Sequence, residues 1–371
     1  MLALASPRLV LDAMPELDAH GESAQFEIDE SRLFTITFTS GTTSVPKGIA
    51  QTSGAMLAAA TAFADELGYD GDTRMLHVLP MTYMAGILNT ILCPYVAGGS
   101  VVIDRAFDAR SILSFWEPVA QHNANTFWLA PTMLAALLKL DREPSGPRYA
   151  QAARTISVGT APLPPSIRSE FEDRYGAPLY ESFGLSELLF ISTGSPRHPN
   201  QADSVGRPLP GVEVASGDDG ELLVRTPFAM AGYLDDDGCP TAPPEWFPTG
   251  DLGRLDAGDL FVTGRKKDLI IRGGLNVSPE AVEHALASHP AVARVAVLGV
   301  PHELLGEEVV AVVELHPRNS LAEVEGALKE HARDRLAATA VPTQFVEVDT
   351  FPVGPTGKIQ KAELRSRLFA R

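Results

Sequence analysis

Apolar residues along this chain recur with two different periods, and the alternation between them predicts its architecture. The run Leu33-Phe34-Thr35-Ile36-Thr37-Phe38 is rich in aromatic and β-branched side chains and predicts a strand. Residues 53–67 place Met56, Leu57, Ala60, Phe63, Ala64 and Leu67 at helical spacing, so a core-facing helix follows. Residues 74–79 read as a buried strand, and an apolar segment occupies 87–96. Gly98-Gly99 then turns the chain into a strand at 100–103, with an amphipathic helix at 108–121. A strand at 126–129, a helix at 132–140 and a strand at 155–158 continue the series. Strands separated by helices at this spacing imply a largely parallel sheet covered on both faces.

The texture changes after Gly206, where short strands at 221–225 and 260–263 alternate with Gly, Pro and Asp turns up to Gly264, as in a small antiparallel barrel or sheet. Beyond Gly264-Arg265-Lys266-Lys267-Asp268 a second unit begins. Ser278 is placed to cap a helix with Pro279 at its first position, and Val282, Ala285 and Leu286 mark the inner face of that helix. Strands at 293–300 and 309–315, a helix at 321–336, a strand at 344–348 and a final helix at 361–368 complete a compact α+β module. The expected fold class is therefore α/β, with a large N-terminal domain at 1–266 that holds layered sheets and a barrel-like part, and a small C-terminal domain at 267–371. Residues 1–31 are acidic and weakly periodic, a lead-in without evident chemistry.

Composition narrows the function. A net charge of −17 over 371 residues argues against nucleic acid or an anionic membrane as partner, since both require a basic face. No window reaches the ~18 apolar residues of a membrane span, and residues 1–10 lack the basic leader and apolar core of a secretion signal. The cytoplasm is the expected location. Cys93 and Cys239 stand far apart without metal-ligand spacing, which speaks against a disulfide framework or a zinc site.

Candidate chemistry starts at Thr39-Ser40-Gly41-Thr42-Thr43-Ser44-Val45-Pro46-Lys47-Gly48, directly after the first strand. Hydroxyls, glycine-freed N–H groups and one cation in a loop leaving a strand form a polyphosphate cradle. It is not the Walker type, because Lys47 lies between Pro46 and Gly48. Ligands of parallel sheets sit at the carboxyl ends of the strands, where Gly159-Thr160-Ala161-Pro162 falls.

Together with Tyr180-Glu181-Ser182-Phe183-Gly184-Leu185-Ser186-Glu187, Thr249-Gly250-Asp251, the 264–268 segment with Gly273-Gly274, and Pro355-Thr356-Gly357-Lys358, the loop makes the chain resemble the adenylate-forming superfamily. That superfamily includes acyl- and aryl-CoA synthetases, luciferases and the adenylation domains of peptide synthetases, and the match runs from about residue 33 to the end. The resemblance implies that a small carboxylic acid attacks the α-phosphate of ATP, forming an acyl-adenylate and pyrophosphate, and that CoA then takes the acyl group. Two anions must be brought in line, so cations and oriented donors are needed rather than a protein nucleophile. By resemblance Glu187 contacts Mg²⁺, Asp251 accepts from the ribose hydroxyls, and Phe183, with Gly184 and Ser186 in the same motif, faces adenine opposite Gly159 to Pro162. Lys358 bridges carboxylate and α-phosphate, and Arg265 reaches ribose or phosphate. Lys267 occupies the hinge about which a mobile C-terminal lid swings, and Gly273 and Gly274 admit the slender pantetheine arm of CoA or of a carrier protein.

The sequence also departs from the family pattern. Ser44 replaces a usual glycine, Ser186 a usual threonine, and Tyr83 takes the place of a histidine beside the carboxylate pocket, so the pocket suits a different acid. No aspartate of the kind that anchors an α-amino group stands in Pro80-Met81-Thr82-Tyr83-Met84-Ala85-Gly86, which favours an aryl or aliphatic acid over an amino acid. Fewer than 40 residues precede the phosphate loop, where typical members have well over a hundred. The apolar surface this leaves would suit a self-complementary homodimer. A carrier-protein thiol or another nucleophile is the alternative acceptor, and a non-catalytic nucleotide-binding scaffold is the rival from another class.

Overall fold

The computed structural model describes residues 29–39, 47–108, 110–235, 237–353 and 359–369. The first strands, β1 (Leu33–Thr39) and β2 (Lys47–Thr52), pair antiparallel with Thr39 opposite Lys47. The helix Ser53–Leu67 follows without a break. Thr52 Oγ1 accepts from Ala55 N at its start, and Gly68 ends it at φ 69°, a conformation only glycine adopts freely. Met56, Ala60, Phe63, Ala64 and Leu67 are buried as the periodicity predicts, whereas Leu57 is half-buried on a different face.

A seven-stranded sheet forms the centre of the larger core. It contains β3 (Arg74–His77), β4 (Ser100–Ile103), β5 (Thr126–Leu129), β6 (Thr155–Val158), β7 (Tyr180–Leu185), β8 (Leu189–Thr193) and β9 (Arg207–Pro208), in the order β4-β3-β5-β6-β7-β8-β9. The pairs from β4 to β7 are parallel and the last two antiparallel. All four residues of β5 and of β6 are buried, as expected of strands covered on both faces. Phe63 stacks on Phe190 with ring centroids 4.1 Å apart, locking the helix Ser53–Leu67 onto β8.

One expectation changes in detail, and one segment left without an assigned element acquires one. Residues 108–121 do not form one helix: Asp108 Oδ1 accepts from the N–H groups of Arg110 and Ser111, which tightens the chain into a 3-10 turn at Ser111–Ser114 before the helix Trp116–His122. The apolar segment after Tyr83 is helical throughout, with a π-helical stretch at Leu88–Leu92 between the short helices Met84–Ile87 and Cys93–Val96.

The short strands expected between Gly206 and Gly264 divide between two sheets. β10 (Glu213–Ser216) and β11 (Glu221–Arg225) join β14 (Phe247–Asp256) and β15 (Asp259–Arg265) in a four-stranded antiparallel sheet. β12 (Gly232–Leu234) and β13 (Pro240–Thr241) instead extend the first sheet, in the order β1-β2-β12-β13. The remaining sheet contains β16 (Ile270–Arg272), β17 (Leu275–Val277), β18 (Val292–His302), β19 (Gly306–Leu315) and β20 (Gln344–Glu347), and has its own apolar cluster around Val282, Leu286, Val309, Val313, Leu328 and Phe345. Ser278 caps the helix Pro279–Ala287 by accepting from Ala281 N.

On β1, Leu33 and Phe34 remain exposed. Among the described residues no helix is long and apolar enough to cross a membrane.

Candidate active site

Three groups of predicted residues can be placed. The first lies where β2 meets the tip of the β7–β8 hairpin. Gln51, fully buried, donates from Nε2 to the Ser186 carbonyl at 2.8 Å, and Met230 N donates to the Glu187 carbonyl at 2.7 Å. These bonds hold the hairpin tip against β2 and the approach to β12. The half-buried Glu187 side chain accepts a 2.9 Å hydrogen bond on Oε1 from the Tyr233 hydroxyl, and Lys47 Nζ stands 5.1 Å from the centroid of the same ring. Thr39 and Lys47 therefore mark the two ends of the phosphate loop on paired strands. Ser40, Gly41, Thr42 and Thr43 lie outside the described residues.

The second group is at the carboxyl end of the large sheet. Gly159 follows β6 so closely that a Cβ there would lie 2.9 Å from both Ser182 Oγ and Trp128 Cζ2. Ser182 Oγ donates to the Val158 carbonyl at 3.3 Å, so the loop and the β7 motif share one wall. Thr160 adopts φ 74°, a strained conformation for a branched side chain. Glu181, next in the motif, is buried and ties the loop down: Oε1 accepts from Leu163 N at 3.4 Å and Oε2 pairs with Arg168 at 3.0 Å. Burial pushes its carboxyl above the ordinary range, and the Arg168 guanidinium pulls it partly back. Ala161 and Pro162 complete this loop at the surface of the sheet. Phe183 and Tyr83 are both half-buried against the main core. Tyr83 begins the helix Met84–Ile87, and burial raises its phenol above the usual value.

The third group lies between β14 and β15, where Asp251 is paired with Arg265 in register. Arg265 Nε lies 2.8 Å from Asp251 Oδ1, whereas Oδ2 is buried and finds no hydrogen-bond partner among the described residues. Burial raises the Asp251 carboxyl and Arg265 opposes the shift. A buried carboxylate oxygen without a donor is costly, about 1–3 kcal/mol, so this atom is suited to a ligand O–H. A cavity of about 370 Å³ opens beside it, lined by Thr249, Gly250, Arg265, Lys266 and Lys267. Lys266 is held by Asp219 at 2.6 Å and Glu221 at 2.9 Å.

Gly273 and Gly274 form the two-residue turn between β16 and β17, with φ 58° and 80°. Positive φ at both central residues is the requirement of the tightest hairpin turn, and a Cβ on Gly274 would meet nothing within 4 Å. Here the backbone conformation by itself calls for glycine. Lys358 lies outside the described residues. The bridge between Val353 and Ile359 brackets it, and Lys361 Nζ pairs with the half-buried Glu283 at 2.7 Å just beyond.

Sequence reasoning did not anticipate Tyr233, Gln51 or the anchoring part played by Glu181. A glutamate between Tyr180 and Ser182, inside a short strand, was a legible signal for the last. The partners of Tyr233 and Gln51 lie 46 and 135 residues away in the chain, and no local pattern encodes them.

Comparison with known proteins identifies the family. The family model of AMP-binding enzymes matches residues 5–234, and the model of the C-terminal domain of AMP-binding enzymes matches 281–358. Sulfoacetate–CoA ligase of Cupriavidus necator is 33% identical over an alignment of 347 residues that covers 88% of this chain and 65% of the relative; the chain thus spans a little under two thirds of its length. The crystal structure of an anthranilate–CoA ligase with anthranoyl-AMP superposes with a TM-score of 0.80 at 25% identity, covering 91% of this chain and 68% of the other. The amide bond synthetase McbA of Marinactinospora thermotolerans gives a TM-score of 0.78 at 32% identity over 90% of this chain and 69% of the other.

Proposed function

We propose, because this chain belongs to the family of AMP-binding enzymes, that it activates a small carboxylic acid with ATP and passes the acyl group to coenzyme A. A carboxylate oxygen would form a bond to the α-phosphorus as the bond to the β-phosphate oxygen breaks, releasing pyrophosphate. The CoA sulfur would then attack the acyl carbon and displace AMP. The observation that carries this reading is Asp251, whose buried Oδ2 has no donor among the described residues while Arg265 neutralises Oδ1. A vicinal diol such as ribose supplies the missing donors, and the adjoining cationic cavity suits phosphate.

The other residues take roles consistent with their surroundings. Thr39 to Lys47 would enclose the β- and γ-phosphates. Glu187 offers a hard carboxylate with one oxygen already engaged by Tyr233, so its second oxygen fits Mg²⁺, which when bound would neutralise phosphate charge. The Gly159–Pro162 loop and Phe183 would flank adenine, Tyr83 would border the acid, and Lys358 would bring its charge to the reacting oxygens. For that lysine to approach and withdraw, the C-terminal unit, divided from the rest near residues 266 and 267, would swing about Lys267. Gly273 and Gly274 would then lie beside the incoming thiol.

Exchange of labelled pyrophosphate into ATP, dependent on an added acid, tests the first half. Parent activity with some acid of a broad panel, at least a hundredfold lower in Lys358→Ala, is expected; no exchange with any acid refutes it. The likeness to an amide bond synthetase favours one second reading, in which an amine takes the acyl group. Mass spectrometry of products formed with CoA, carrier protein or amines separates the acceptors.

A further inference from the structure

Tyr233 belongs to none of the recognised motifs, yet it touches residues from two of them. Strand β12 brings it beside β2, with Tyr233 opposite Ile49, two positions beyond Lys47. Its hydroxyl donates to Glu187 Oε1 at 2.9 Å, and its ring lies under the Lys47 ammonium at 5.1 Å. A tyrosine phenol carries its proton at neutral pH, so the hydroxyl serves as a donor there.

We propose that Tyr233 is a positioning residue that presents the Glu187 carboxylate to a divalent cation and seats the Lys47 ammonium for the phosphates. The inference rests on the reading of Glu187 given above. A glutamate at a hairpin tip has three side-chain torsions to settle. One hydrogen bond to Oε1 limits its rotation and leaves Oε2 as the available ligand. The aromatic face does the same for the lysine, whose long stem would otherwise sample many rotamers. Two elements far apart in sequence are thereby put in register by one side chain.

The test is the affinity of Mn²⁺ for the full chain saturated with α,β-methylene-ATP, followed by electron paramagnetic resonance, alongside thermal melting and the KM for ATP. Tyr233→Phe keeps the ring and loses the donor. Its Mn²⁺ dissociation constant should rise about tenfold, the effect of one hydrogen bond to a charged group in a half-buried site, with the melting curve little changed. Tyr233→Leu should in addition raise the KM for ATP, because Lys47 loses its seat. Parent-like Mn²⁺ binding in Tyr233→Phe, while Glu187→Gln binds Mn²⁺ poorly, overturns the positioning role and leaves the reading of Glu187 standing. Parent-like binding in Glu187→Gln removes that reading and this inference together. Should Tyr233→Phe fail to fold, 3-fluorotyrosine placed at position 233 alone gives the answer in the parent: its fluorine resonance should move when Mg²⁺ joins the analogue complex, and a stationary signal overturns the proposal.

Discussion

Replacing Gly184 by alanine should disable the β7–β8 hairpin. Gly184 faces Phe190 across the two strands, and an added Cβ would lie 2.0 Å from the Leu189 carbonyl oxygen and 3.1 Å from its carbon. The obstacle is backbone, so no side-chain rotation relieves it, and the strands must part by about 1 Å to restore ordinary contact. Parting them weakens the adjacent ladder bonds, at about 1 kcal/mol each, and loosens Leu189 and Phe190, both nearly fully buried. Overpacking of this kind costs about 1–3 kcal/mol, so a total of about 2–4 kcal/mol is reasonable. At about 2–4 °C per kcal/mol for a domain of this size, the melting temperature should fall by roughly 5–15 °C. Glu187 sits at the tip of the same hairpin, so pyrophosphate exchange measured well below the melting temperature should fall at least tenfold. Calorimetry and the exchange assay on purified Gly184→Ala check both numbers. A variant that melts within about 1 °C of the parent and exchanges at the parental rate would refute the steric reasoning.

Gly326→Ala is the contrasting case, since the glycine lies inside the helix Leu321–Arg333 and a Cβ would meet nothing within 4 Å. It should stabilise by about 0.8–1 kcal/mol, the helix-propensity difference, read as an increase in denaturant midpoint. His77 supplies a pH dependence. Its Nδ1 lies 2.6 Å from Thr90 Oγ1, which donates to the Gly86 carbonyl in the helix that Tyr83 begins, and burial holds the imidazole below its ordinary 6.5. The unfolded chain takes up the proton first, so the stability contributed by neutral His77 is present in full above 6.5 and is lost as pH falls through the lower folded value. The melting temperature should therefore drop more steeply between about pH 7 and pH 5 in the parent than in His77→Gln, and parallel curves would contradict this.

Elements built from local signals were legible in the sequence. The helix Ser53–Leu67 shows its capping threonine, its buried stripe and its terminal glycine within one short stretch. Ser278 and Pro279 announce the helix they begin. Strands β5 and β6 are short apolar runs between helices, a pattern that parallel sheets impose. Contacts between distant segments were not legible. Gly232-Tyr233-Leu234 carries no local sign of its partner, and only the folded chain places it beside β2 rather than β11 or β14. The continuous helical path from Met84 to Val96 was also hidden, because a nearly unbroken apolar run carries little period. Within the candidate site, the family resemblance pointed to Glu187, Asp251 and Arg265, whereas the Tyr233 hydroxyl and the Gln51 amide depend on tertiary geometry alone.

The pairing of β2 with β12 also bears on how this chain folds during synthesis. Ile49 meets Tyr233, 184 positions later in the chain, so the ribosome releases the first hairpin long before its third strand exists. At about 5–20 residues per second the bare edge of β2 persists for roughly ten to forty seconds. Its burial pattern has four consecutive buried residues, among them Ile49 and Ala50, and such an edge invites pairing with other nascent chains. A truncation ending before Gly232 should be recovered mainly in inclusion bodies, and the missing strand supplied as a separate peptide should bring it back into solution.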